Sequence, residues 1–309
     1  MSKARADSTN KSYESGYRKW QSWSSKFTEV KEFPAEDTYV ALFLSSLIQS
    51  GTLFPTIKST FYAIKHFHQL ASEKDPCDSE LCINIFEAAK RICNRPKVRK
   101  EPLTSQQLKQ IYVTIGGRNA QLPELRNFTM MLIAFAGFLR FNEISALRSR
   151  DIEFHPTHLR LFISKSKTDV YREGRHSYIA RTDTDICPWQ TLSSYMAKCH
   201  LSADIDEFIF RPLTYFKSNN QYALRKADCP ISYSTTRDNV LKLIEKIGLN
   251  AKDFGLHSLR SGGATAAANL GVKDRLFKRH GRWRSESVKD GYVKDELKEL
   301  LSVTANLGL

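Results

Sequence analysis

The segment Leu256-His257-Ser258-Leu259-Arg260-Ser261-Gly262-Gly263-Ala264 sets a histidine and an arginine three residues apart, just ahead of two glycines and an alanine-rich run. On a helix, positions i and i+3 share a face. His257 and Arg260 therefore project together beside the helix's positive end, where backbone N–H groups and the dipole favour an anion. Gly262, Gly263 and the alanines after them add no bulk, so the same helix can approach a neighbour closely.

Upstream, Ala136-Gly137-Phe138-Leu139-Arg140-Phe141-Asn142-Glu143-Ile144 closes an apolar run at a glycine, with an arginine and then a glutamate at intervals of three. An arginine leaving an apolar helix needs a partner or an anionic ligand, because an unpaired buried charge is costly. Glu143 is one candidate partner, in a purely structural ion pair; a bound anion is the other. Between these segments, Ile163-Ser164-Lys165-Ser166-Lys167-Thr168-Asp169 carries two lysines on a polar turn. Such a lysine is either solvated, or reaches a phosphate oxygen and donates a proton. Downstream stand Gly281-Arg282-Trp283 and, nine residues past the tryptophan, Tyr292.

The flanking sequence gives the fold class. A helix capped by Thr104 or Ser105 carries Leu108, Ile111, Tyr112 and Ile115 on one face. The almost wholly apolar helix 122–138 is expected to be central and buried. Short strands are predicted at 151–154, 159–164 and 178–181, and helices at 188–199, 233–247, 258–270 and 273–281. His280 is expected on its helix's surface. The tail from Lys294 reads as helical, with Leu297, Leu300 and Leu301 at helical spacing. Before all of this, helices fit 8–27, 36–50, 55–72 and 79–93, separated at Pro34, at Gly51 to Pro55 and at Asp75-Pro76. Ser8 or Thr9 is expected to cap the first, whose stripe of Tyr13, Tyr17, Trp20, Trp23 and Phe27 reads as core. The chain is thus predicted to be mainly α with a small antiparallel β-sheet, an α+β protein. A helical domain spans 1–93, a basic linker 94–102 and a second domain 103–309, whose terminal helix covers 294–309. In the linker Arg95, Lys97, Arg99 and Lys100 are, with Lys165, candidates for contacts to a phosphate backbone; a solvated charge run is the alternative.

Composition narrows the partner. The 309 residues carry 47 Lys+Arg against 33 Asp+Glu, a formal net charge of +14, which favours a polyanion through counterion release. A hydrophobic fraction of 41% excludes a disordered chain, and the length suits two domains. No window approaches the ~18 consecutive apolar residues of a membrane span, and the opening MSKARADSTNKSYES has no signal-peptide core. A soluble intracellular protein without membrane partners is expected. Cys77, Cys82, Cys93, Cys187, Cys199 and Cys229 form no CxxC pair and are expected to be reduced. His66 and His68 lie two apart on a helix and point away from each other. Neither a metal nor a cofactor is expected.

Taken together, these pieces resemble the tyrosine recombinases, the family of the phage integrases and the Xer-type and Cre-type enzymes. The resemblance lies in an order: arginine in an A-G-x-x-R-x-x-E context, lysine on a β-hairpin, H-x-L-R, then a His or Trp nine residues before a tyrosine. Here these are Arg140, Glu143, Lys167, His257, Arg260, Trp283 and Tyr292. The match spans 103–309, and the helical segment before it resembles the family's SAM-like core-binding domain. Two departures stand out. Gly281-Arg282-Trp283 replaces the Leu-Gly-His of many relatives, and Asn142 replaces the small residue usual before the glutamate.

The resemblance implies a site-specific recombinase that clamps double-stranded DNA and cuts it through a 3′-phosphotyrosyl intermediate, independently of metal and ATP. Tyr292 would be the nucleophile, Arg140 and Arg260 the phosphate grip, and Lys167 the general acid, with Lys165 as competitor. His257 would assist proton transfer, Trp283 would donate to or pack on the phosphate, and Glu143 would orient its neighbours. It also implies a homo-tetramer on DNA, formed by docking the terminal helix on a neighbouring copy; the alternative is a helix folded back on its own domain. Ser-Leu-Arg-Ser-Gly-Gly-Ala and Lys-Arg-His-Gly-Arg-Trp-Arg-Ser-Glu-Ser look most like recombinases of eukaryotic mobile elements of the DIRS, Ngaro or Crypton sort. That origin would make the protein nuclear; otherwise it would be cytoplasmic. The rival readings are a non-cutting DNA-binding protein on the same fold and a monomeric topoisomerase.

Overall fold

The computed structural model describes residues 5–96, 98–166, 169, 173–202 and 204–307. Two units divide between Val98 and Arg99. The first is built from α1 (Asp7–Ser24), α2 (Asp37–Gln49), α3 (Phe54–Leu70) and α4 (Glu80–Ile92), with α1 packed on α3 and α2 on α4. The aromatic stripe of α1 supplies Tyr17 and Trp20 to its core; the stripe runs out into solvent at Phe27, 41% exposed. The buried Trp20 keeps its indole N–H satisfied on the Glu32 carbonyl, at 2.9 Å. The start of α1 differs from expectation. The helix begins at Asp7 with Ala6 in the N-cap position and no side-chain cap, so Ser8 and Thr9 lie inside its first turn. On α3 the two histidines do diverge: His66 lies against Tyr13, while the buried His68 accepts from the Ala35 N–H at 2.9 Å.

The second unit opens with α5 (Ser105–Thr114), whose N-terminus is closed by reciprocal bonds between Thr104 and Gln107. At its centre runs α6 (Leu122–Ala136), in which every residue from 125 to 134 is buried, including Asn127, Thr129 and Arg126, which donates to the Arg211 carbonyl. The short α7 (Phe141–Ser145) follows, and then an antiparallel sheet of β1 (Ile152–Phe154), β2 (His158–Ile163) and β3 (Arg175–Ala180) in the order β1-β2-β3. Along β2 the alternation Leu159, Leu161, Ile163 faces the core. Next come α8 (Pro188–Lys198), the hairpin β4 (Leu213–Phe216) and β5 (Gln221–Leu224), α9 (Tyr233–Lys246), α10 (His257–Asn269), α11 (Asp274–Gly281), α12 (Glu286–Asp290) and α13 (Leu297–Ala305). Sequence patterning missed α7, the β4–β5 hairpin and α12. It also began the terminal helix three residues early, since Lys294 to Glu296 precede α13.

What positions the site is the contact of α10 with α6. A Cβ on Gly263 would stand 2.1 Å from the Phe135 carbonyl oxygen, and one on Gly262 would stand 1.9 Å from that of Leu103. Only glycine permits this approach. It lays the first turn of α10 beside the C-terminal end of α6, where Arg140 emerges. Among the described residues, no helix is long and apolar enough to cross a membrane.

Candidate active site

Arg260, the fourth residue of α10, is completely buried. Its Nη1 donates to the Phe138 carbonyl, and its Nη2 to the Gly281 carbonyl at 2.6 Å. Two rings flank the guanidinium: its Cζ lies 5.0 Å from the centre of Trp283 and 4.8 Å from that of Tyr292. The rings themselves are 5.6 Å apart. Arginine carries five N–H donors, and here the buried Nε has no acceptor among the described residues; nor does the indole N–H of Trp283. Buried donors are normally paired. The Arg282 Nε nearby is likewise without a partner among the described residues, so three buried donors stand close to the half-buried Tyr292.

Trp283 reaches this place because the chain doubles back on Gly281, where a Cβ would stand 2.1 Å from the indole ring. Tyr292 follows α12, and two bonds from Thr265 fasten its carbonyl and the chain just after it to α10. Thr265 Oγ1 donates to the Tyr292 carbonyl at 3.5 Å and accepts from the Lys294 N–H at 3.1 Å. His257 occupies the exposed first position of α10, one turn ahead of Arg260.

Arg140 stands at the N-cap of α7, and Glu143 reaches back to it twice. Oε2 accepts from the Arg140 backbone N–H at 2.9 Å and Oε1 from its Nη1 at 2.8 Å. The ion pair expected from sequence is therefore present, but the carboxylate serves three arginines. Arg282 Nη2 lies 3.1 Å and Arg260 Nη1 3.9 Å from Oε2. Burial pushes Glu143 up, yet Arg282 and then the Arg140 backbone N–H outweigh it and hold the carboxyl below its usual 4.5. Burial, followed by repulsion from Arg140, brings Arg260 down to about 10, still charged at neutral pH. Asn142 is exposed.

Arg282 was not singled out from sequence. It is 3% exposed, adopts φ +56°, and donates to the carbonyls of Gly137 (3.2 Å), His280 (2.9 Å) and Phe138 (3.0 Å) as well as to Glu143. The signal available was an arginine directly after a helix-ending glycine and directly before Trp283. His280 is a correction: it does not lie on the helix surface. It follows Phe277 by one turn on the inward face of α11, edge-on to Phe138, with Nε2–H on the Ala136 carbonyl at 2.8 Å. Burial, then the positive charges of Arg282 and Arg260, holds its pKa below 6.5 despite that bond.

The remaining candidates are more dispersed. Lys165 is exposed just past β2, and Arg95 and Arg99 are exposed; Lys100, also exposed, donates to the Lys252 carbonyl. Lys167 and Lys97 lie outside the described residues. No group of three or more His, Cys, Asp or Glu is arranged to hold a metal ion among the described residues. Cys77, Cys82, Cys93 and Cys187 are buried.

Residues 101–299 match the phage integrase family. The integrase/recombinase xerD homolog of Selenomonas ruminantium is 24% identical over 300 residues, covering 95% of this chain and 83% of the homolog. The XerH site-specific recombinase, solved in a post-cleavage complex with a palindromic difH substrate, superposes with a TM-score of 0.66 at 17% identity, over 96% of this chain and 79% of XerH. The lambda integrase tetramer bound to a Holliday junction gives a TM-score of 0.59 at 15% identity, covering 94% and 73%.

Proposed function

The chain belongs to the phage integrase family of tyrosine recombinases, and from that premise we propose that it is a site-specific DNA recombinase whose nucleophile is Tyr292. The observation that carries the reading is the stacking of Tyr292 and Trp283 on the Arg260 guanidinium, beside the Arg140–Glu143 pair. The Tyr292 hydroxyl attacks the scissile phosphate, leaving a 3′-phosphotyrosyl link and a free 5′-hydroxyl. Arg140 and Arg260 bind the non-bridging oxygens as charge builds on the phosphorane, and the Trp283 N–H supplies a further donor. Lys167 protonates the departing 5′-oxygen, with Lys165 as the alternative, and His257 moves the proton of Tyr292. The phosphotyrosine keeps the energy of the broken bond, so attack by another 5′-hydroxyl rejoins the strand without ATP or metal.

Double-stranded DNA is the partner that the net charge of +14 favours, with Arg95, Lys97, Arg99 and Lys100 on its backbone. A homo-tetramer on DNA is supported by α13, whose Leu297, Leu300, Leu301 and Val303 are all more than half exposed and available to a neighbouring copy. Lambda integrase has been solved as a tetramer on a Holliday junction. Integration or excision of a mobile element, of the DIRS, Ngaro or Crypton sort and then nuclear, is the role that the two quoted sequence stretches favour.

The test is a trap with nicked duplex fragments of the source element, resolved on a denaturing gel. A covalent protein–DNA band from wild type and none from Tyr292→Phe is expected. DNA binding without a band from either protein would replace this reading with a non-cutting one. Supercoil relaxation by a monomer would point to a topoisomerase.

A further inference from the structure

We propose that Arg282 is a positioning residue of the active site, one that sets Arg140 and Trp283 relative to each other through Glu143 and the backbone of Gly137 and Phe138; this rests on the cleavage reading above. Its backbone supplies the first argument. At φ +56° the residue occupies the left-handed region that glycine adopts freely and a long side chain does not. An arginine held there against that preference implies a use for its guanidinium.

The bonds of that guanidinium say what the use is. Its partners lie on two segments: Gly137, Phe138 and Glu143 bracket Arg140, while His280 belongs to the turn that delivers Trp283. Arg260 ties the same two segments through Phe138 and Gly281, so the Phe138 carbonyl accepts from both arginines. Only a planar fork with donors on separate nitrogens spans four acceptors in this way; the single ammonium of lysine does not. Both terminal nitrogens of Arg282 are bonded to protein, only its Nε is without a partner among the described residues, and its side chain is 3% exposed, so it acts through its neighbours rather than on DNA.

Charge adds a second effect. Arg282 engages Glu143 Oε2, the oxygen that otherwise faces Arg260 Nη1 at 3.9 Å. Without Arg282, that carboxylate oxygen is left to Arg260 Nη1 and draws the guanidinium away from the Phe138 carbonyl that holds it in place. The residue thereby keeps Arg260 available for the transition state.

The experiment uses the full chain as wild type, Arg282→Gly and Arg282→Lys, with the nicked duplex above as probe. It measures single-turnover adduct formation, duplex affinity and thermal melting, each with and without sub-denaturing guanidinium ion. Glycine suits the backbone at this position, which separates loss of the side chain from loss of fold. Adduct formation by Arg282→Gly is expected to fall about a hundredfold, as misplaced reacting groups do. Duplex affinity stays within about threefold, because phosphate contacts remain. Guanidinium ion restores part of the rate to Arg282→Gly and none to wild type, and Arg282→Lys stays slow. Adduct formation by Arg282→Gly at the wild-type rate would overturn the proposal. So would a lost rate that follows lost melting temperature and that guanidinium does not restore. A wild type that forms no Tyr292-dependent adduct overturns the cleavage reading itself, and this one with it.

Discussion

Glu143 and Arg282, 139 residues apart in the chain, meet at 3.1 Å where both side chains are almost fully buried. The carboxylate is the common counter-charge for Arg140, Arg260 and Arg282, so the positive site is assembled around one buried negative group. Removing one partner of a buried pair leaves uncompensated charge behind.

Glu143→Gln is therefore expected to cost about 3–5 kcal/mol of stability at neutral pH, measured by denaturant unfolding. The sign of its pH dependence follows from the depressed pKa. Glu143 stabilises fully above its unfolded value near 4.5, and this contribution is lost as pH falls through the lower folded value. The gap between wild type and Glu143→Gln should stay constant between about pH 7 and about pH 5, then close in acid. A constant gap down to acid denaturation would contradict it.

His280 should act at milder pH. Its folded pKa lies below 6.5, so protonation favours the unfolded chain. Stability should be flat above about pH 6.5 and fall as pH drops from there toward the folded value. Gln in its place offers an uncharged N–H to the Ala136 carbonyl, and Tm against pH for His280→Gln should lack that decline. Parallel curves for the two proteins would count against a half-buried His280 held neutral at pH 7.

Gly263→Ala tests the approach of α10 to α6. The added methyl meets the Phe135 carbonyl, which is backbone and cannot swing aside. A loss of about 3 kcal/mol in chemical denaturation is expected, at the upper end for overpacking. Wild-type stability would show that the two helices separate readily.

Regular periodicity made most of this architecture legible. The Thr104 to Gln107 capping box, the apolar run from Phe128 to Ala136 in α6 and the alternating β2 each carry a strong local signal. The misses have equally local causes. α7 and α12 are five residues each, too short for a helical repeat, and β4–β5 pairs Tyr215 with Tyr222 on exposed strands without an apolar alternation. His280 was misplaced although Phe277, one turn earlier, marks the inward face of α11. Arg282 was hidden because its importance depends on Glu143 and on an unusual backbone conformation, neither of which is visible in neighbouring sequence. The order Arg140, His257, Arg260, Trp283, Tyr292 could be read from sequence; the convergence of three arginines on one carboxylate could not.

The Thr265 hydroxyl bonds the Tyr292 carbonyl and the Lys294 N–H to α10, the helix that also carries His257 and Arg260. On the proposed reading, this makes each copy self-sufficient for chemistry: it cuts the strand that its own arginines hold, and an assembly contains as many complete catalytic centres as chains. Neighbouring copies would then govern when a centre fires, without lending it a nucleophile.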